Sequence, residues 1–481
     1  MTTPPTLVPP PAPAVAQAAP DDRQDKTTWA ERIGFATGTL PFNFGASGLN
    51  TIAFPIYNIT LGMSPTLIGL VLAISRLWEA FTDPVMGSIS DNFRSRWGRR
   101  RPFVALGAFL CAITFPLIWF VPISWSTGWS FSYFLATALI FYTAFTIYGV
   151  PYLTLGYEMS TNSNERVRIH AVRAMVSKLT FFIVPWVFSI AQLPYFESTI
   201  AGMRTLGLII GGLFILLAIP TVWLTRERYA KRAAKQVKVP LKEGMRLTFN
   251  NRPFLNLVGI VLGLLIGTNL VSQLGIYVNS YYVFAGDTVA GAALHAKVQT
   301  VYALAGMVSV PIVARLATRY GKLCVIRWCI GFGILASISK FFFYSREFPA
   351  LQYLSMLLLA PSFSGFWVLV DPMKADVADF DEHTSGLRRE GMYAAVSSWL
   401  EKTALTITMI ASGLLLDFSG FDVARGGMQD EGTLLAIRLV FAGVPAALLL
   451  GSLYLAIRHP LTDDRVKEIK HVLNQRNPAV S

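Results

Sequence analysis

The stretch that decides the fold is Arg76–Gly107, which reads RLWEAFTDPVMGSISDNFRSRWGRRRPFVALG. Its first part lies inside an apolar run that contains the ionisable residues Arg76, Glu79 and Asp83. At about 100° per residue, these three positions fall within a sector of about 60° on a helix. Ionisable side chains at membrane depth cost about 2.5–3.5 kcal/mol each and usually line the path of an ion or a substrate. The stretch therefore predicts a membrane helix with one charged, ion-binding face.

The composition of the whole chain also points to a membrane. Of the 481 residues, 53% are hydrophobic and only 14% are charged, against about 25% charged residues in soluble proteins. The mean hydropathy of +0.49 predicts an all-α polytopic membrane protein. The net charge of +13 does not indicate a nucleic-acid partner, because the basic residues cluster in particular short loops.

Twelve apolar runs follow a tail that is rich in proline and alanine. They cover residues 32–58, 64–90, 102–122, 129–157, 168–194, 204–225, 254–284, 293–317, 323–345, 348–374, 391–417 and 433–458. The predicted divisions are a disordered cytoplasmic tail (1–30), an N-terminal six-helix bundle (31–225), a basic cytoplasmic linker (226–253), a C-terminal six-helix bundle (254–458) and a cytoplasmic tail (459–481).

Lysine and arginine are distributed unevenly among the loops. Residues 102–165, 179–203 and 253–296 contain neither, whereas the linker over 226–253 contains nine. Positive charge accumulates on the cytoplasmic side of membrane proteins. We therefore expect an integral inner-membrane protein whose two termini are both cytoplasmic.

A weak internal repeat relates the two halves. Pro84–Asp91 is followed, after the basic turn, by Gly98 and an arginine, and Pro311–Thr318 is followed by Gly321 and a lysine. Repeats of this parallel kind build the major facilitator transporters, in which the substrate binds between the halves near the middle of the membrane. The repeat favours such a two-bundle architecture.

Three segments resemble one transporter family. Arg76–Gly87 with Ser95–Phe103 is similar to the second helix and following loop of the glycoside–pentoside–hexuronide:cation symporters of the major facilitator superfamily, and Thr146–Pro151 resembles part of their fourth helix. Further residues fall at the spacing of that family's tenth and eleventh helices: Trp367, Ala375–Asp379, Glu382, Arg388, Glu390 and Lys402.

The resemblance implies a major facilitator fold with twelve transmembrane helices and no enzymatic activity. It implies secondary active transport by alternating access, in which a sugar or glycoside crosses the membrane together with Na+ or H+. No cofactor is then needed beyond the co-transported cation. The expected partners are this small-molecule cargo, the monovalent cation and membrane lipids, and we expect a monomer.

Functional residues follow from the resemblance position by position. The cation-coordinating carboxylates of the family fall on Glu79 and Asp83, with Thr146 near them, its coupling lysine on Lys402 and a tryptophan of its sugar site on Trp367. Sugar-binding aspartates that some members carry in helices one and four are replaced here, at about Pro41 and at Gly149, and Arg173 lies one residue from the family's helix-five arginine. A galactoside specificity is therefore not implied.

The residues themselves leave alternatives open at the cation site. Glu79 and Asp83 are one turn apart, so their oxygens can converge on one small hard cation. Equally, Arg76 can form a structural ion pair with either of them. Lys402 lies too deep in its run to reach either interface comfortably, so it needs a carboxylate partner. That pair can serve ion coupling or can be a static salt bridge.

Two further groups of residues have both a functional and a structural interpretation. Substrate contacts are predicted from aromatic rings that can stack on a sugar and from polar groups that face the same depth: Trp367, Tyr148, Tyr152, Arg173, Asn43 and Asn50. The same rings can serve helix packing, and the arginine can anchor the helix at the interface. A cytoplasmic gating network is predicted from Asp91, Arg96, Arg99 and Arg100, although topology alone also explains a basic turn.

The alternatives to sugar symport are a different cargo and a different class of protein. Sodium-dependent lysolipid carriers share the architecture and the cation site, so a lipid-like cargo remains the alternative. A membrane enzyme or receptor is disfavoured, because the chain contains neither His-Glu-x-x-His nor Gly-x-Ser-x-Gly and its five histidines are scattered.

The predicted orientation can be tested with single cysteines in a chain whose native cysteines have been replaced. In intact cells, Arg425→Cys should react with a membrane-impermeant thiol reagent, because its loop is predicted to lie outside. Pro240→Cys, in the basic linker, should react only after permeabilisation. The opposite labelling pattern would reverse the assigned topology.

Overall fold

The computed structural model describes residues 26–160, 163–227, 251–270, 274–385 and 390–476, and its regular elements are helices. They are α1 (Trp29–Thr37), α2 (Thr39–Asn43), α3 (Leu49–Phe54), α4 (Pro65–Asn92), α5 (Arg101–Leu117), α6 (Thr127–Glu158), α7 (Ser163–Ala191), α8 (Thr199–Leu224), α9 (Arg252–Asn269), α10 (Leu274–Tyr277), α11 (Thr288–Tyr320), α12 (Lys322–Phe343), α13 (Gln352–Ser385), α14 (Glu390–Phe418), α15 (Glu431–Ile457) and α16 (Asp463–Arg476). Wider π-helical turns cover Phe44–Gly48, Pro55–Thr60 and Val278–Val283, and 3₁₀ turns cover Pro349–Leu351 and Val423–Arg425.

The helices confirm an all-α membrane protein. Within the described residues, ten helical stretches are long and apolar enough to cross a membrane. Two of the twelve predicted runs differ: the run over 102–122 forms the 17-residue helix α5, and the run over 32–58 is broken into short helices. Pro41 and Pro55 lie in the broken run, and proline removes a backbone donor and clashes with the preceding turn. The full count of twelve spans stays a prediction.

The helices pack in two groups. In the first half α5 packs against α6 and α8, and α4 packs against α6; in the second half α12 packs against α13 and α15, and α9 packs against α15. The groups meet where α4 lies along α14 and where α7 lies along α11. The domain boundaries remain predictions, and the predicted tail over 1–25 and most of the linker (228–250) lie outside the described residues.

A carboxylate closes the same turn in each half, and we call the two arrangements the carboxylate clamps. Glu227 accepts hydrogen bonds from the backbone N–H groups of Arg99 (2.6 Å), Arg100 (2.8 Å) and Arg101 (3.0 Å) at the start of α5. Asp463 accepts from the N–H groups of the first two residues of α12, at 2.8 and 3.3 Å. An anion at a helix N-terminus satisfies free N–H groups and the helix dipole. We call this end of the helices the clamp end.

Glycine is required beside each clamp. Gly98 has φ +103° and Gly321 has φ +89°, a region that favours glycine. A Cβ atom at Gly98 would lie 2.6 Å from Glu227 Oε1, and one at Gly321 would collide with the Asp463 carboxylate. The two glycines that the sequence repeat aligned therefore occupy equivalent places, which supports the repeat.

Glu227→Ala should lower the free energy of unfolding by about 2 kcal/mol, because three backbone donors lose a charged acceptor. Thermal unfolding of the purified protein in detergent measures the effect. Glu347→Ala, an exposed acid at the opposite end, is the matched control and should leave the midpoint unchanged. Equal midpoints for both variants would show that the clamp does not stabilise α5.

Candidate functional site

Asp83 and Lys402 join the two halves of the molecule. Asp83 lies on α4 and Lys402 near the middle of α14, and the Lys402 Nζ atom donates to Asp83 Oδ2 at 2.6 Å. The Asp83 side chain is 21% exposed and the Lys402 side chain is 46% exposed. Asp83 is therefore the carboxylate partner that we expected from the position of Lys402 in the middle of an apolar run.

Arg76 and Glu79 form a second ion pair one turn away. Arg76 Nη1 lies 2.5 Å from Glu79 Oε2, and both side chains are almost nine-tenths buried. The guanidinium also stacks 5.3 Å from the centre of the Tyr142 ring. The structural ion pair left open by the sequence thus forms with Glu79. In this state each of the two carboxylates is balanced by a cation of the protein.

Oxygen atoms surround the Asp83 carboxylate. Thr146 on α6 donates to Asp83 Oδ1 at 3.1 Å, and its hydroxyl is 3.1 Å from that of Thr82. Pro84 lacks an N–H, which leaves the Ala80 carbonyl without its usual helical donor. These groups are hard oxygen ligands of the kind that small cations prefer. Within the described part of the chain, no group of three or more His, Cys, Asp or Glu residues could hold a metal ion.

Tyr142, which was not predicted from the sequence, links Arg76 to the broken run over 32–58. We call this run the first segment. Its hydroxyl donates to Asn50 Oδ1 at 3.4 Å, and its ring lies under Arg76. Tyr142 precedes Thr146 by one helical turn, so both lie on one face of α6. That spacing was the available signal. Asn50, a predicted substrate residue, is buried and bonded to this tyrosine.

The predicted aromatic substrate residues Tyr148 and Tyr152 are fully buried. The Tyr148 hydroxyl donates to the Gly38 carbonyl at 2.6 Å, and the Tyr152 hydroxyl donates to the Phe35 carbonyl at 2.9 Å. These bonds hold the start of the first segment against α6. Helix packing, the structural alternative, accounts for both rings.

The predicted substrate residues Arg173 and Asn43 connect the first segment with α7. Arg173 Nε donates to Thr39 Oγ1 at 3.3 Å, and its guanidinium lies 5.6 Å from the Phe42 ring centre. Asn43 Nδ2 donates to Ser177 Oγ at 2.7 Å. Their substrate role stays a prediction.

Three of the four predicted gating residues, Asp91, Arg99 and Arg100, form a network within the first half. Arg99 and Arg100 both pair with Glu158 at the end of α6, and Arg100 also pairs with Asp91. Arg96 is exposed. Because the partners of Asp91 in the described residues belong to its own half, movement of the halves would not break this network directly. In the second half, Lys322 pairs with Asp376 at the corresponding place.

A cavity of about 200 Å³ lies between the halves, nearer the end opposite the clamps. Its lining includes residues from both halves, among them Thr51, Thr180, His295, Lys340 and Phe363. The six predicted substrate residues, which all lie in the described part of the chain, do not line it. Trp367 lies behind the lining residue Phe363, and the centres of the two rings are 6.1 Å apart.

A further group of charges lies beside Lys402. Lys374 on α13 contacts Glu401 at 2.7 Å and Asp371 at 3.2 Å. This group was not predicted from the sequence, although a lysine at the end of an apolar run was a visible signal.

Glu165, in the first turn of α7, and His459 lie outside the membrane-spanning segments and have shifted pKa values. Burial raises the pKa of the Glu165 carboxyl, but hydrogen bonds from Thr27 and the influence of two arginines outweigh it and hold this pKa below its usual range. Burial, assisted by the charge of Arg327, lowers the pKa of His459 to about 4. At neutral pH His459 is therefore uncharged, and its Nδ1 lies 2.8 Å from Asn256 Oδ1.

The chain is similar to known membrane transporters in both sequence and structure. A model of the family described as MFS/sugar transport protein matches residues 34–463. The glucuronide carrier protein homolog of Escherichia coli is 25% identical, covering 93% of this chain and 96% of its own. The sodium-dependent lysophosphatidylcholine symporter 1 of Gallus gallus is 24% identical, covering 96% and 92%. The solved structure of the nucleoside transporter NupG superposes with a TM-score of 0.60 at 18% identity, covering 89% and 98%.

These comparisons confirm the expected family resemblance and the major facilitator fold. The matched family spans both halves of the chain, and the structural similarity extends over most of both chains. The chain is therefore a multi-pass membrane transporter and not an enzyme. The roles of individual residues are not addressed by these comparisons.

The contact between Asp83 and Lys402 can be tested with a double-mutant cycle. Asp83→Asn and Lys402→Val should each destabilise the protein by about 1–3 kcal/mol, because each leaves one charge unpaired. The double variant should be more stable than the sum predicts by at least about 1 kcal/mol, because neither charge is then unpaired. Thermal unfolding of the four purified proteins gives the coupling energy. Strict additivity would mean that the two residues do not interact.

Proposed function

Because the chain belongs to the MFS/sugar transport protein family, we propose that it carries a sugar or glycoside across the membrane by symport with a monovalent cation. The observation that carries this proposal is the ion pair between Asp83 and Lys402, which connects the two halves deep within their helices. In a transporter whose halves rock against each other, a contact of this kind can register whether a cation is bound.

The coupling follows from competition for one carboxylate. In the state described, Lys402 neutralises Asp83. A cation that binds at Asp83, with the hydroxyl of Thr146 as a neighbouring oxygen, replaces the ammonium and releases one contact between α4 and α14. Either Na+ or a proton achieves this, since both neutralise the carboxylate. The two charge-balanced states then favour different arrangements of the halves.

The proposed setting is the cell membrane, with the clamp end and both termini in the cytoplasm. The support is the distribution of Lys and Arg, since the basic turn that ends α4 and the start of the basic linker meet at this end. We propose that a single chain, surrounded by lipid, is the transporting unit, because its two halves already enclose a cavity between them.

A second cargo class is favoured by the lining of the cavity. Apolar and aromatic side chains such as Ile52, Val184, Phe188, Met356 and Leu359 contribute much of its wall. A lysophospholipid would bury its acyl chain against such a surface. The lysophosphatidylcholine symporter among the relatives gives this alternative a precedent in its name. Uptake of sugars and glycosides, compared with uptake of lysophospholipids, separates the two classes.

Asp83→Asn should abolish cation-driven accumulation of the cargo and leave the protein folded, because the variant lacks the carboxylate that exchanges Lys402 for the ion. The assay is uptake into vesicles with a panel of saccharides and lysophospholipids, with and without sodium and with a protonophore. Asp464→Asn, an exposed carboxylate at the clamp end, should retain parental accumulation. Uphill uptake by Asp83→Asn equal to the parent would remove Asp83 from the coupling site.

A further inference from the structure

Lys340 is a buried cation without an acidic partner. It lies in the last turn of α12 and is 6% exposed. Among the described residues no carboxylate lies within ion-pair distance of its ammonium, which instead lies 4.8 Å from the centre of the Phe441 ring.

His295 on α11 lines the same cavity as Lys340. It is 8% exposed, and its Nδ1 atom has no hydrogen-bond partner. Gly275 lies between the imidazole and the Phe441 ring, since a Cβ atom there would lie 3.1 Å from His295 Cε1 and 3.6 Å from Phe441 Cε2. The imidazole and the ammonium therefore lie around the same phenylalanine, and both line the cavity between the halves.

An aromatic ring alone does not offset the cost of burying an ammonium, whereas a hydrogen-bonded anion can. The ring face stabilises the charge and so does the C-terminal end of α12, but the ammonium donates no hydrogen bond to an oxygen of the described residues. Charged hydrogen bonds to carboxylate or phosphate are the strong ones. Gln299, one turn along α11 from His295, adds an amide to the same wall.

We propose that Lys340, with His295 and Gln299 beside it, binds an acidic group of the transported molecule. The cargo is then an anionic compound, and the group is either the carboxylate of an acidic sugar or the phosphate of a lysophospholipid. This inference rests on the proposed transport function and specifies the class of its substrate. It also separates two tasks: the cation exchanges with Lys402 on α14, while the acidic group of the cargo binds Lys340 on α12.

Binding to the purified full-length protein in lipid nanodiscs tests the proposal. The probes are methyl β-glucuronide with the matched neutral methyl β-glucoside, and lysophosphatidic acid with the matched neutral monoacylglycerol, which lacks the phosphate. The parent should bind one of the anionic probes about tenfold or more tightly than its matched counterpart. The preferred probe identifies the source of the acidic group.

Variants then assign the preference to the lysine. Lys340→Gln should remove the preference for the anionic probe and change binding of the matched probe less than about twofold, whereas Lys340→Arg should retain the preference. Arg346→Gln is the matched control, because Arg346 also stacks on an aromatic ring, that of Tyr282, but is exposed and does not line the cavity. Its binding constants should equal those of the parent.

Two results would overturn the proposal: a parent that binds neither anionic probe more tightly than its counterpart, or a Lys340→Gln variant that keeps the full preference. Should Lys340→Gln fail to fold, the parent comparison and Lys340→Arg still decide. Failure of the transport function has a different signature. A parent that binds the anionic probe through Lys340 but does not accumulate it with any cation gradient would refute coupled symport and leave the anion site intact.

Discussion

The ion pair between Asp83 and Lys402 balances a charge of one half against a charge of the other at membrane depth. A charge at membrane depth is costly unless it has a partner, and here the partner belongs to the other half. Glu79 is satisfied within its own helix by Arg76, so it imposes no such condition. Glu79 therefore has its partner on its own helix, whereas Asp83 has its partner in the other half.

Depth and pairing were the parts of the site that the sequence could predict. The spacing of Arg76, Glu79 and Asp83 placed them on one face, and the position of Lys402 in its apolar run required a carboxylate. The sequence could not predict the break in the first segment, where Pro41 and Pro55 lie among short helices and π-helical turns. An apolar run containing proline is compatible with a bent helix and with a broken one, and tertiary packing decides between them.

The direction in which a side chain points is also invisible in an apolar run. Tyr148 and Tyr152 lie at the depth expected of sugar ligands, yet their hydroxyls bind backbone carbonyls of the first segment. Lys340 and His295 belong to no motif, and only the packing of α11 and α12 against α13 brings them to one cavity. The sequence shows which residue types are present, but it does not show that these two side chains line one cavity.

The carboxylate clamps bear on how the protein is made. Glu227 lies 128 residues after the Arg99 N–H that it binds, and Asp463 lies 141 residues after that of Lys322. In each half, the N-terminus of an early helix (α5 or α12) is therefore bound by a residue that is synthesised after the last membrane-spanning helix of that half. Since chains emerge from the ribosome in order and domains fold as units, each half reaches its final form only when its last helix has entered the membrane, and the first half can be complete while the second is still being synthesised.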